Sequence, residues 1–123
     1  MAHNILALSG GAILGGVARY LITHFSSEMS HHSGFPIGTL LVNMIGSFIV
    51  GYVLAPPSDH LHDTWRIFAA TGFCGAFTTF SAFAYESVMY WNGGRAGMFA
   101  LNVVANNLVS LLAVLAGISA RSR

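Results

Sequence analysis

Gly72-Phe73-Cys74-Gly75-Ala76-Phe77-Thr78-Thr79-Phe80-Ser81-Ala82-Phe83 is the stretch on which the reading of this chain turns. It lies inside an uncharged run, Ile67 to Tyr85, long enough to reach across a bilayer. Yet it is poor material for a plain lipid-facing helix. Its two glycines, three apart, each cost about 1 kcal/mol relative to alanine in a helix. Two threonines and a serine follow, and their hydroxyls compete for backbone hydrogen bonds. Backbone without helical partners is tolerated at membrane depth only where protein buries it or it lines a cavity. The most irregular segment therefore stands where irregularity is most costly, which marks a site.

The rest of the chain supports a membrane setting. Of 123 residues, 54% are hydrophobic and 7% charged, against roughly 25% charged in an ordinary soluble domain. Lysine is absent, and the net charge of +1 offers neither a polybasic patch for nucleic acid nor an acidic tail. Four uncharged runs, Ala2 to Ala18, Gly34 to Ser58, Ile67 to Tyr85 and Ala96 to Ala120, meet or approach the ~20 residues of a spanning helix. The first has no basic residue ahead of it and no convincing cleavage pattern after it, so it reads as a retained helix and not a signal peptide. One all-helical membrane domain over residues 1–123 is expected, with approximate spans 3–25, 35–55, 65–91 and 96–120.

Short loops join the spans. Ser26 to Pro36 reads as a Ser- and His-rich loop, Pro56-Pro57-Ser58-Asp59 as a helix breaker, and Trp91-Asn92-Gly93-Gly94 as an interfacial turn. Asp63 or Thr64 is placed to cap the third helix. With four spans, Arg66, Arg121 and Arg123 fall on one side and Arg19 and Arg95 on the other. So small a bias sets no firm orientation. Either a single arginine decides, or the chain inserts both ways and pairs with an inverted copy, as transporter repeats do within one chain. Gly11 and Gly15 form a G-x-x-x-G face suited to close helix approach, either between subunits or within one.

Polar residues inside the spans are functional candidates by default. Thr39 and Asn43 share one face of the second helix; Asn102, Asn106 and Ser110 repeat that four-residue spacing on the fourth, with Asn107 beside them. Phe80 and Phe83 share a face of the third. Inter-helix hydrogen bonding is the ordinary explanation for any one of these, and packing is the ordinary explanation for the phenylalanines. Together they suit a small anion. No carboxylate lies mid-span, and Glu86 is the one acid near the membrane, whereas cation pathways display acidic rings. Amide NH2 groups donate, and aromatic ring edges are electropositive.

Gly11-Ala12 with Arg19-Tyr20, Gly38-Thr39-Leu40-Leu41-Val42-Asn43 with Gly46, and the whole of Gly72 to Phe83 with Glu86 resemble the Fluc (CrcB) family of fluoride channels, over essentially the full chain. The resemblance implies passive fluoride export across the cell (inner) membrane. It implies a four-helix subunit with its third helix broken mid-membrane, paired antiparallel into a dual-topology homodimer with two pores at the interface. It also implies a central structural sodium ion held by backbone carbonyls, here those of Gly75 and Thr78. Phe80 and Phe83 would line the pores, and Asn43 would donate a hydrogen bond to fluoride. Thr39, Ser81, Asn106, Ser110 and Glu86 would fall on a polar track or its entry, and Arg19 near the aqueous vestibule. Two departures from the family pattern stand out. Ala82 replaces a second threonine and removes one hydroxyl, and Asn102 and Asn106 stand where an aromatic and a hydroxyl residue are expected. Both asparagines keep the stripe polar and read as tuning.

Other chemistry is thinly represented. Cys74 is the sole cysteine and reads as a small packing residue. His31, His32, His60 and His62 lack acids or cysteines at metal-ligand spacing, and no nucleophile, zinc or phosphate-loop motif occurs. No enzyme is expected. The rival reading is a small proton-coupled multidrug-type transporter, which would need a midplane carboxylate that the first helix lacks.

Overall fold

The computed structural model describes residues 1–56 and 63–122. Those residues form only helices and connections. In chain order they are α1 (Ala2–Phe25), α2 (Ser27–Ser33), α3 (Ile37–Leu54), α4 (Asp63–Arg66), a π-helical stretch (Ile67–Cys74), α5 (Gly75–Phe77), α6 (Phe80–Asn92) and α7 (Ala96–Arg121). Four segments are long and apolar enough to cross a membrane: Ala2–Phe25, Ile37–Leu54, Asp63–Asn92 and Ala96–Arg121. The chain is a multi-pass membrane protein with four spans. The Pro56-Pro57-Ser58-Asp59 turn falls almost wholly outside the described residues, as do His60 and His62.

One loop expectation is corrected. Ser27–Ser33 is the short helix α2, not a Ser- and His-rich coil. Nothing in Ser-Glu-Met-Ser-His-His-Ser breaks a helix, Glu28 sits in its first turn and His31 and His32 in its last, in the sense the helix dipole favours. It stops at Gly34, whose φ of 66° only glycine adopts without strain. The Tyr90 hydroxyl, 2.7 Å from the Gly34 carbonyl, and the Arg95 guanidinium, 5.0 Å from the Tyr90 ring centre, tie this corner to the turn between α6 and α7.

Packing follows the small residues. α1 lies along the π-helical stretch and α5, and α3 lies along α7, which also meets α6. At both crossings backbone touches backbone. A Cβ on Gly11 would strike the Phe68 carbonyl, and one on Gly72 the Leu8 carbonyl. Likewise a Cβ on Gly51 would strike the Val114 carbonyl, and one on Gly117 the Phe48 carbonyl. In lipid, helices gain little by hiding apolar side chains, so close van der Waals approach holds them together. The G-x-x-x-G face of Gly11 and Gly15 is therefore used within the chain: a Cβ on Gly15 would meet the Phe73 carbonyl. The intersubunit alternative for this face is set aside. Cys74 is buried, as a small packing residue should be.

Gly117→Val should lower stability by about 1–3 kcal/mol, the usual penalty for overpacking. Gly16, with nothing within 4 Å of a Cβ, should accept alanine without loss. Unfolding midpoints in detergent check both.

Candidate functional site

The site begins where helical hydrogen bonding is interrupted. Gly72 and Gly75 are not the interruption: Gly75 has helical dihedrals, and Gly72 serves the crossing with α1. The threonines are. Thr78 is extended at φ −81°, ψ 160°, and Thr79 at φ −148°, ψ 113°. Each closes one helix. Thr78 sends both its N–H and its hydroxyl to the Cys74 carbonyl, at 3.0 and 2.8 Å, ending α5. Thr79 accepts the Ala82 N–H on its Oγ1 at 3.2 Å, an N-cap that starts α6. Gly46 on α3 makes room, since a Cβ there would strike Thr78 Cγ2.

Asn43 holds the two extended residues in place. Its Oδ1 accepts the Thr79 N–H at 2.8 Å, and its Nδ2 donates to the Thr79 carbonyl at 3.2 Å. In an uninterrupted helix that N–H would bond the carbonyl of Gly75, four residues back. Asn43 thus takes the donor away and leaves the Gly75 carbonyl without it. The Thr78 carbonyl accepts from Arg19 Nη1 at a long 3.3 Å. Arg19 therefore reaches the interruption itself.

The expected site residues divide among distinct places. Asn43, Phe80, Phe83, Asn106 and Ser110 line one cleft of about 360 Å³, together with Thr78, Thr79 and Ser47. Among the described residues, no acidic or basic side chain lines it. Phe80 is 77% exposed, and its ring centre lies 5.4 Å from that of Phe83. Thr39 and Glu86 belong to a second cleft of about 300 Å³, where the Thr39 hydroxyl donates to Glu86 Oε1 at 2.6 Å. Ser81 is exposed, 3.3 Å from the Thr79 hydroxyl. Asn107 is exposed and turned to the Val103 carbonyl. Among the described residues, no three His, Cys, Asp or Glu side chains converge on a point.

Three contributors were not legible as such. Thr79 was read only as one of several hydroxyls, and nothing in the sequence said that its backbone pairs with Asn43. Gly46 stands in the sequence only beside the Gly38 to Asn43 motif, with no sign that it makes room for Thr78. Ser87 accepts from Asn102 Nδ2 at 3.0 Å, yet a lone serine after Glu86 gives no signal of that. Asn43 is also occupied within the chain. Its second Nδ2 hydrogen goes to Asn106 Oδ1 at 3.1 Å, so both are committed to protein acceptors.

Electrostatically the interruption has two opposite ends. The rod from Asp63 to Phe77 ends in carbonyls, the negative pole of its dipole, while α6 opens with N–H groups that have no partner inside the helix. A cation suits the first and an anion the second.

Residues 6–118 match the family model described as CrcB-like protein, Camphor Resistance (CrcB). A protein named fluoride-specific ion channel FluC from Koribacter versatilis (strain Ellin345) is 47% identical, over 98% of this chain and 97% of its own length. Proteins of the same name from Pyrococcus abyssi (strain GE5 / Orsay) and Campylobacter lari (strain RM2100 / D67 / ATCC BAA-1060) are 44% and 41% identical. They cover 93% and 95% of this chain, and 91% and 96% of their own lengths.

Asn43→Leu strips the partner from the Thr79 N–H, at about 1–3 kcal/mol for a buried group left unpaired, while the Thr79 carbonyl, as the N-cap of α6, keeps the first intrahelical bond. Amide exchange at Thr79 should quicken by orders of magnitude. Asn43→Asp keeps the acceptor and should protect that amide while losing the bond to the Thr79 carbonyl.

Proposed function

The chain belongs to the CrcB family, and on that premise we propose that it is a fluoride channel giving passive export of fluoride across the cell inner membrane. One observation carries the reading: a cleft beside the Thr78-Thr79 interruption lined by amides, hydroxyls and two phenylalanine rings, with no charged side chain among the described residues. The names of the relatives supply the ion.

Fluoride is small and strongly hydrated, so a pathway must replace its water with donors at many points. Hydroxyls of Ser47, Thr79 and Ser110, and the Asn107 amide hydrogen not used by the Val103 carbonyl, offer such donors along the cleft. The ring edges of Phe80 and Phe83 add weak positive potential. The opening N–H groups of α6 add more at its start, where anions are favoured. Uncharged donors hold an anion loosely enough to release it, and conduction requires that. Thr39 and Glu86 form the second polar cleft, on the same face of α3 as Asn43, and are assigned to the entry side of the path.

One subunit leaves this cleft unfinished. Phe80 is a large ring turned outward beside it, and Gly75 faces open space. A second, inverted copy covering that face would enclose the path and supply its symmetry mate, giving a dual-topology dimer with two pores. It would also double the carbonyl set. The Gly75 carbonyl, which Asn43 deprives of its helical N–H, fits a sodium ligand. The Thr78 carbonyl fits as well, because the 3.3 Å contact from Arg19 leaves a lone pair free. When bound, sodium would lend fixed positive potential to the neighbouring anion path.

Purified protein in liposomes should release fluoride rapidly when an ionophore dissipates the membrane potential, at a rate indifferent to an imposed proton gradient. Flux that requires such a gradient would instead favour a proton-coupled transporter. Phe80→Ile should abolish fluoride efflux while leaving the elution volume of the assembly unchanged.

A further inference from the structure

The amides behind the cleft form a relay whose direction is dictated from both ends. At one end, the Thr79 N–H can only donate, so Asn43 must turn Oδ1 to it. Nδ2 of Asn43 is then left for Asn106, which must answer with Oδ1 at 3.1 Å. Asn106 consequently presents Nδ2 to Asn102 Oδ1 at 2.8 Å, and Asn102 presents Nδ2 to Ser87 Oγ at 3.0 Å. At the other end, the Phe83 carbonyl can only accept, so the Ser87 hydroxyl donates to it at 2.7 Å and its oxygen is left for Asn102. Both ends demand the same polarity. Asn102 is fully buried at 0% exposure, and it lines no part of the cleft. Flipping its amide would forfeit the bonds to Ser87 and to Asn106 together.

The consequence for an anion is specific. Asn43 and Asn106 both line the cleft, so the Nδ2 hydrogen that joins them lies between two lining side chains. An anion reaches that donor only by displacing the Asn106 oxygen. A charged acceptor outbids a neutral one, and a compact anion does so by more than a large one. How hard the oxygen is to displace depends on how firmly Asn106 is held, and Asn102 holds it.

We propose that Asn102 is a positioning residue for anion selectivity: it tethers Asn106 as a competing acceptor, so that only a strong hydrogen-bond acceptor captures the Asn43 donor. This rests on the fluoride-channel reading. Fluoride and chloride release from liposomes, measured with ion-selective electrodes on wild type, Asn102→Leu and Ser87→Ala, tests it. Wild-type release of fluoride with retention of chloride checks the underlying reading by itself. Asn102→Leu should keep fluoride release within a few-fold and lower the fluoride-to-chloride ratio roughly tenfold, as the loss of about one hydrogen bond implies. Ser87→Ala, a smaller change at the far end of the relay, should lower the ratio in the same direction by less. In an Asn43→Ser background, Asn102→Leu should leave the ratio unmoved, since the contested donor is gone. A conducting Asn102→Leu or Ser87→Ala protein with wild-type discrimination overturns the proposal. So does a fall in fluoride release with the ratio unchanged.

Discussion

The pairing of one side-chain amide with both backbone groups of Thr79 is the constraint from which the architecture of the site follows. An extended pair of residues inside an apolar span strands peptide groups that would otherwise bond along the helix. Asn43 takes up one N–H and one C=O in the manner of a neighbouring strand, using a single side chain on α3. Its position is in turn set by the contact of α3 with α7, where Gly51 and Gly117 let the two backbones meet. Adding bulk at that crossing would therefore displace Asn43 as well as loosen two helices. Stability and site geometry are coupled through the same few glycines.

The threonine pair shows how little sequence is needed to stop one helix and start another. Thr78 folds back on Cys74, and Thr79 reaches forward to Ala82. The hydroxyls supply the partners that a helix end lacks, so neither proline nor glycine is required at the junction. The two poles thus exposed face opposite charges within a few residues of each other. In a medium of low permittivity that separation carries more weight than it would in water.

The spans were legible because uncharged runs of sufficient length have few other uses. The importance of Gly72 to Phe83 was legible because its composition disagrees with its surroundings. The location of the irregularity within it was not. Glycine suggested breakage, but in a membrane a helical glycine more often means close approach, and Gly72 is used in that way. The eight residues of π-helix, Ile67–Cys74, which include Gly72, carry no sequence mark of that geometry. The four-residue spacing of Asn102, Asn106 and Ser110 pointed to a common face, and the structure turns the first two inward. Spacing within one helix could not say which atoms of another would meet them. Ser87 and the Thr79 backbone became partners only through tertiary contact. The Ser- and His-rich connection departs from expectation for a simpler reason: polar composition suggests coil, yet no residue of Ser27–Ser33 opposes a helix.

Every member of the chain of contacts from Thr79 through Asn43, Asn106 and Asn102 to Ser87 is a carboxamide, an alcohol or a peptide group. None gains or loses a charge under conditions a cell survives. An ion pair in the same place would loosen as acid neutralised its carboxylate, and an imidazole would change state near neutrality. This fastening is blind to acidity. A cell whose surroundings sour would find the junction set as it was before, with any response to protons left to groups elsewhere, such as the carboxyl beside Thr39.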